Sequence, residues 1–170
     1  MATTYKLIQA VTVGSGGTAT ISFTSIPQTY TDLLYKISAR MSVDTSSVFL
    51  RYNGTTTNGR IKWLDGSGTV ASSNADGSNQ YGPVHGVVNS TKTANVFGNA
   101  EIYITNYTSS NYKSSSTDGV VETAAVAATM AIGANLYSNT AAITSIELVS
   151  AASGNFAEYS TAYLYGISNA

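Results

Sequence analysis

Between residues 33 and 41 the chain reads LLYKISARM, and every second residue is apolar. Leu33, Tyr35, Ile37, Ala39 and Met41 fall on one side of an extended strand; Leu34, Lys36, Ser38 and Arg40 fall on the other. A period of two marks a strand with one face on a core and the other toward something wet. This alternation predicts a sheet with a buried side.

Similar short runs recur near residues 5–13, 18–23, 33–42, 46–52, 60–64, 82–88, 96–105, 114–122, 125–136, 142–150 and 160–167. Gly, Asn, Ser and Asp clusters separate them. GSGG at 14–17 has the glycines that a tight hairpin needs for positive φ. NG at 53–54 and 58–59, and DG at 65–66 and 76–77, predict further turns. Pro27 removes a backbone donor and predicts the end of the strand that carries Ile21 and Phe23. A helix competes only over residues 122–137, which are Ala-rich, but Gly133 would weaken a helix by roughly 1 kcal/mol relative to Ala. In a strand, Val126, Ala128, Met130 and Ile132 share a face opposite Ala127, Thr129 and Ala131, and small residues on the outer side suit a strand covered by another sheet or subunit. Residues 64–81 are glycine-rich and poor in large apolar groups, which predicts a long loop. The pattern is all-β: an antiparallel sandwich or barrel.

A chain of 170 residues fits one domain, residues 1–170, with no internal repeat. Charged residues make up 10%, against about 25% in a typical soluble domain, and the polarity comes from 23 Ser and 23 Thr. With a net charge of −1 such a surface has little colloidal repulsion, which suits a protein that lives in an assembly. The eight Lys and Arg are scattered singly, whereas a phosphate track needs clustered cations, so nucleic acid is not an expected partner. No apolar run approaches the ~20 residues of a membrane-spanning helix. MATTYKLIQAVTV lacks the basic region and apolar core of a secretion signal, so synthesis in a cytoplasm, and solubility there until assembly or release, are expected.

Sites of chemistry are hard to find. His85, the single histidine, sits in PVHGVV, a strand pattern with no nucleophile elbow nearby, and reads as a structural or interface residue. One His and no Cys cannot supply a zinc site. NADGS at 74–78 offers oxygens at alternate positions, but the twelfth position from Asn74 is His85 where a calcium loop needs Glu. Nine carboxylates are spread along the chain and no pair is singled out. Neither catalytic residues nor a cofactor or metal site is expected, and the chain does not read as an enzyme.

Twelve tyrosines against four Phe and one Trp favour rings with a polar edge, which suit interfaces. Tyr163, Tyr165 and Ile167 share a strand face and are core candidates. Residues 1–5 are short and uncharged, and Thr3, Thr4 and Tyr5 are expected to form an N-terminal contact arm on another chain, with Tyr5 as its anchor. The competing account makes TTYKLI the start of an edge strand in its own sheet.

SIPQTYTDLLYKISAR, FGNAEIYITNYTSSNYKSSSTD and NFAEYSTAYLYGI together resemble small structural proteins of tailed bacteriophages, especially marine and cyanobacterial ones. The resemblance implies a jelly-roll-like β-sandwich located in the virion. It implies a capsid decoration (cement) protein, a homotrimer partnered by the major capsid protein and by its own copies. The alternative is a tail-fibre or head-fibre module that binds host-surface glycan.

Overall fold

The computed structural model describes residues 4–44, 48–79, 81–123 and 128–168. It is all-β, with no helix among the described residues. Thirteen strands follow in order: β1 (Tyr5–Thr12), β2 (Thr20–Phe23), β3 (Asp32–Arg40), β4 (Val48–Tyr52), β5 (Gly59–Gly66), β6 (Ala71–Asn79), β7 (Tyr81–Pro83), β8 (Val87–Val88), β9 (Gly98–Ile104), β10 (Lys113–Val121), β11 (Thr129–Tyr137), β12 (Ile146–Ser150) and β13 (Thr161–Ile167).

The large sheet runs β1-β13-β3-β9-β10-β11-β5-β6, with β8 added beside β3, and the small sheet runs β2-β12-β4-β7. Setting aside the β5–β6 and β10–β11 hairpins and the two-residue β8 leaves eight strands. Numbered in chain order, these pair 1-8-3-6 in one sheet and 2-7-4-5 in the other. That is the order of a jelly roll. The two hairpins both add to the same end of the large sheet, so the molecule is a jelly-roll sandwich with a four-strand extension.

The alternation on β3 sets the core. Leu33, Tyr35, Ile37, Ala39 and Met41 are all buried and pack against Ile21, Phe23, Leu50 and Leu148 of the small sheet. The Phe23 and Tyr35 rings meet edge to face at 5.3 Å, a favoured aromatic geometry. β2 ends at Phe23, and Ser25 takes a positive φ of 54° before Pro27.

Two buried or half-buried cations hold loops. Arg40 donates to the carbonyls of Ser90, Lys92, Thr93 and Val96, which wraps the 90–96 loop around one guanidinium. Lys113 Nζ donates to the carbonyls of Asn139, Thr140 and Ala141, the last at 2.6 Å. Burial pushes the Lys113 ammonium below its ordinary pKa.

Several sequence expectations are corrected. GSGG does not close a hairpin: β1 pairs with β13 and β2 with β12, so the turn carries the chain from one sheet to the other. The 64–81 stretch is mostly strand. β5 runs through Gly66 and β6 begins at Ala71, so both DG pairs lie inside strands. The turn is Ser67-Gly68-Thr69-Val70, with Ser67 N–H donating to the Val70 carbonyl and Gly68 at φ +86°. Gly at the first central position with positive φ is a hairpin turn matched to strand twist. β6 needs no apolar residues because its hydrogen bonds to β5 hold it as an edge strand. The 82–88 run splits into β7 and β8 at Gly86, φ +97°.

Two register readings are reversed. On β13 it is Ala162 and Leu164 that face the core, and Tyr163 and Tyr165 face outward, while Ile167, the third candidate, is buried. The Tyr30 ring lies against Gly166, where a Cβ would come within 2.4 Å of it, so the even positions fill the inner side. On β11 the outer residues are Met130 and Ile132, and the small Ala131 and Gly133 point in. Val126 and Ala127 lie outside the described residues.

Candidate interaction face

The inner side of the extension is crowded by backbone. The 84–88 segment crosses directly over β9 and β10, and a Cβ on Gly119 would lie 2.1 Å from the His85 carbonyl oxygen. One on Gly98 would lie 2.3 Å from the Gly86 oxygen, and one on Gly133 would lie 2.6 Å from Thr117 Oγ1. Small residues are therefore required at these inner positions. The neighbouring strand positions, which must point out, carry the large apolar side chains.

These form one patch. Val120 pairs across from Met130, Asp118 from Ile132, and Ile132 from Leu64, so the four aliphatic side chains sit on adjacent strands of one face. Their exposures are 45% for Val120, 64% for Met130, 60% for Ile132 and 54% for Leu64. A shallow depression of about 480 Å³ runs between them, with Gly66, Ala71 and Asp118 along its sides. Scattered exposed apolar residues are ordinary, but contiguous ones mark contact surfaces.

Asp65 and Asp118 both line this depression, and Asp118 shares the outer face with the aliphatic side chains. Asp118 lies beside Ile132 on one side and Glu101 on the other. Partial burial, and then the negative charge of Glu101, push its pKa above the ordinary carboxylate value. Glu101 is held by Lys36, whose Nζ is 2.8 Å from Oε2, and the hydrogen bond to Glu101, then its negative charge, raise the Lys36 pKa.

The jelly-roll half of the same face is different. Its residues are Leu34, Lys36, Ser38, Glu101, Tyr103, Tyr163 and Tyr165. The Tyr103 hydroxyl donates to Asp32 Oδ2 at 2.7 Å, and this bond, followed by burial, pushes the phenol up to about 12. Asp32 Oδ1 accepts from the Asn106 N–H at 2.7 Å.

Among the residues singled out by sequence, Thr3 lies outside the described residues. Thr4 is exposed, and its carbonyl accepts from the Ser168 N–H. Tyr5 opens β1 opposite Ile167, so the backbone here belongs to an edge strand of its own sheet while the ring stays 53% exposed. His85 packs against Trp63, with ring centroids 5.4 Å apart, and burial lowers its pKa while the charge of Asp65 partly offsets this. NADGS lies in β6, and Asn74 Nδ2 donates to Asp65. Sequence reasoning missed the aliphatic patch. Its signal was present as Met130, Ile132 and Val120, but the side they face depends on the segment 84–88, far away in sequence. It also missed the Lys36, Glu101 and Asp118 row, which only strand register assembles.

No family model matches the chain, and neither curated proteins nor solved structures returned a match.

Proposed function

We propose that this chain is a structural protein of a tailed-phage particle, seated as a capsid decoration (cement) protein whose extension docks on the head. The observation that carries this reading is the exposed row Val120, Met130, Ile132 and Leu64 on strands added outside the jelly roll. At about 25 cal/mol per Å² of apolar surface covered, seating these side chains would contribute several kcal/mol to attachment. The low-charge hydroxyl surface and the resemblance to phage structural proteins support the same reading. The partners are then the major capsid protein and further copies of this chain, grouped as a trimer at a local symmetry axis. The role is mechanical: covering joints between capsid subunits and adding buried area that resists internal pressure. Imaging particles that lack the gene tests this. Heads stripped of a regular layer of surface density are expected, whereas intact heads with a missing tail feature would refute the placement.

A further inference from the structure

The jelly-roll half of the outer face holds a second depression, chemically unlike the aliphatic patch. It measures about 380 Å³ and is lined by Tyr5, Leu34, Lys36, Glu101 and Tyr165. Leu34 is its buried floor, flanked on neighbouring strands by Tyr165 and Tyr103. Tyr5 stands on the β1 edge, two residues from Leu7, which pairs with Tyr165. The Lys36 and Glu101 pair forms the rim, with side chains 50% and 38% exposed.

We propose that this depression binds a neutral saccharide. A Tyr ring presents a negative face that attracts the C–H-bearing side of a sugar ring. A sugar hydroxyl both donates and accepts, so it can hydrogen-bond the carboxylate and the ammonium together without separating the pair. A protein surface laid over the same place would have to desolvate that pair, and interface cores are depleted in charge for this reason. Charge also narrows the ligand. Glu101, with Asp32 and Asp118 on the same face, disfavours an anion, and Glu101, the carboxylate that lines the depression, is already paired with Lys36 rather than free to bind a cation. The volume lies within the range of small-ligand clefts, roughly 300–1,000 Å³. The proposal is independent of the docking reading, because it uses other strands and other side chains.

The test is saturation-transfer NMR of the full chain with neutral mono- and disaccharides at about 10 mM, where even millimolar affinity is visible, together with a glycan array. Binding of at least one neutral glycan is expected. Tyr5→Ala, Tyr165→Ala and Glu101→Gln should each weaken it about tenfold or more, equivalent to about 1.4 kcal/mol. Ile132→Ser, on the aliphatic patch, should leave it unchanged. Tyr5 is exposed and its variant is expected to fold, so a lost signal there reports the site rather than the fold. Absence of any bound neutral glycan, or binding that survives Tyr5→Ala and Glu101→Gln together, would overturn the proposal. Loss of particle attachment in these variants without sugar binding would assign the depression to protein contact and overturn it equally.

Discussion

Strands β1, β13, β3 and β9 and strands β10, β11, β5 and β6 lie in one sheet, yet their inner faces differ where segment 84–88 crosses. In the jelly-roll half, the large residues Leu33, Tyr35, Ile37, Ile102 and Leu164 point inward, where the small sheet closes over them. In the extension, Gly119, Gly133 and Ala131 point inward at the crossing, with Ile61 and Tyr137 buried further along the extension strands, and Val120, Met130, Ile132 and Leu64 point out. The first half is arranged to close a core. The second is arranged to present a surface, and the backbone crossing at His85 and Gly86 enforces that arrangement. The contrast shows why the outer aliphatic side chains need no fold-level role: the sandwich is already closed without them.

The largest expected effect separates the halves outright. Ile37→Asp would bury an unpaired carboxylate, a loss of several kcal/mol, and should abolish folding. Ile132→Asp on the extension should change stability by about 1 kcal/mol or less, the span of strand propensity at an exposed position. Circular dichroism melts of the two variants compare them directly, and equal destabilisation would break the comparison.

Next in size is Gly119→Ala. The added methyl would meet the His85 carbonyl, and overpacking of this kind costs about 1–3 kcal/mol. Chemical denaturation checks it, and a neutral result would mean that segment 84–88 does not constrain the extension. Smaller effects come from titration. The His85 pKa is lowered on folding, so its contribution to stability is present above about pH 6.5, the ordinary value, and is lost as pH falls through the folded-state pKa. Asp118 has the opposite sign. Its raised pKa gives stability that is full below about pH 3.9 and is lost as pH rises through the folded-state value. Asp118→Asn should therefore raise the melting temperature at pH 7 slightly, and His85→Gln should flatten the decline between pH 7 and pH 5, both read from melts across pH. The smallest effect is Tyr5→Ala, expected within about 0.5 kcal/mol of the parent because the ring is largely exposed.

Much of the jelly-roll half was legible in the sequence because alternation on β3 reads directly as a buried face, and Leu33, Tyr35, Ile37, Ala39 and Met41 all lie where the period places them, although Leu34 on the other face is buried too. The extension was not. Gly66, Gly68 and Gly77 make 64–81 look like a loop, yet a strand held by hydrogen bonds to its neighbour needs no apolar signature. The direction of β11 was unreadable for a related reason: Met130 and Ile132 alternate with Ala131 and Gly133 whichever way the strand faces. What decides is the carbonyl of His85 above Gly119, a contact between residues 34 positions apart. The face of Tyr163 and Tyr165 likewise depends on Tyr30 lying against Gly166.

The central claim is that the extension's outer face is a seat for another subunit. A reconstruction of the assembled particle by electron cryomicroscopy, at a resolution that shows side chains, tests it most directly. The account predicts density from a neighbouring protein in contact with Met130, Ile132 and Leu64. A particle in which those side chains face solvent while another surface makes the attachment would contradict it.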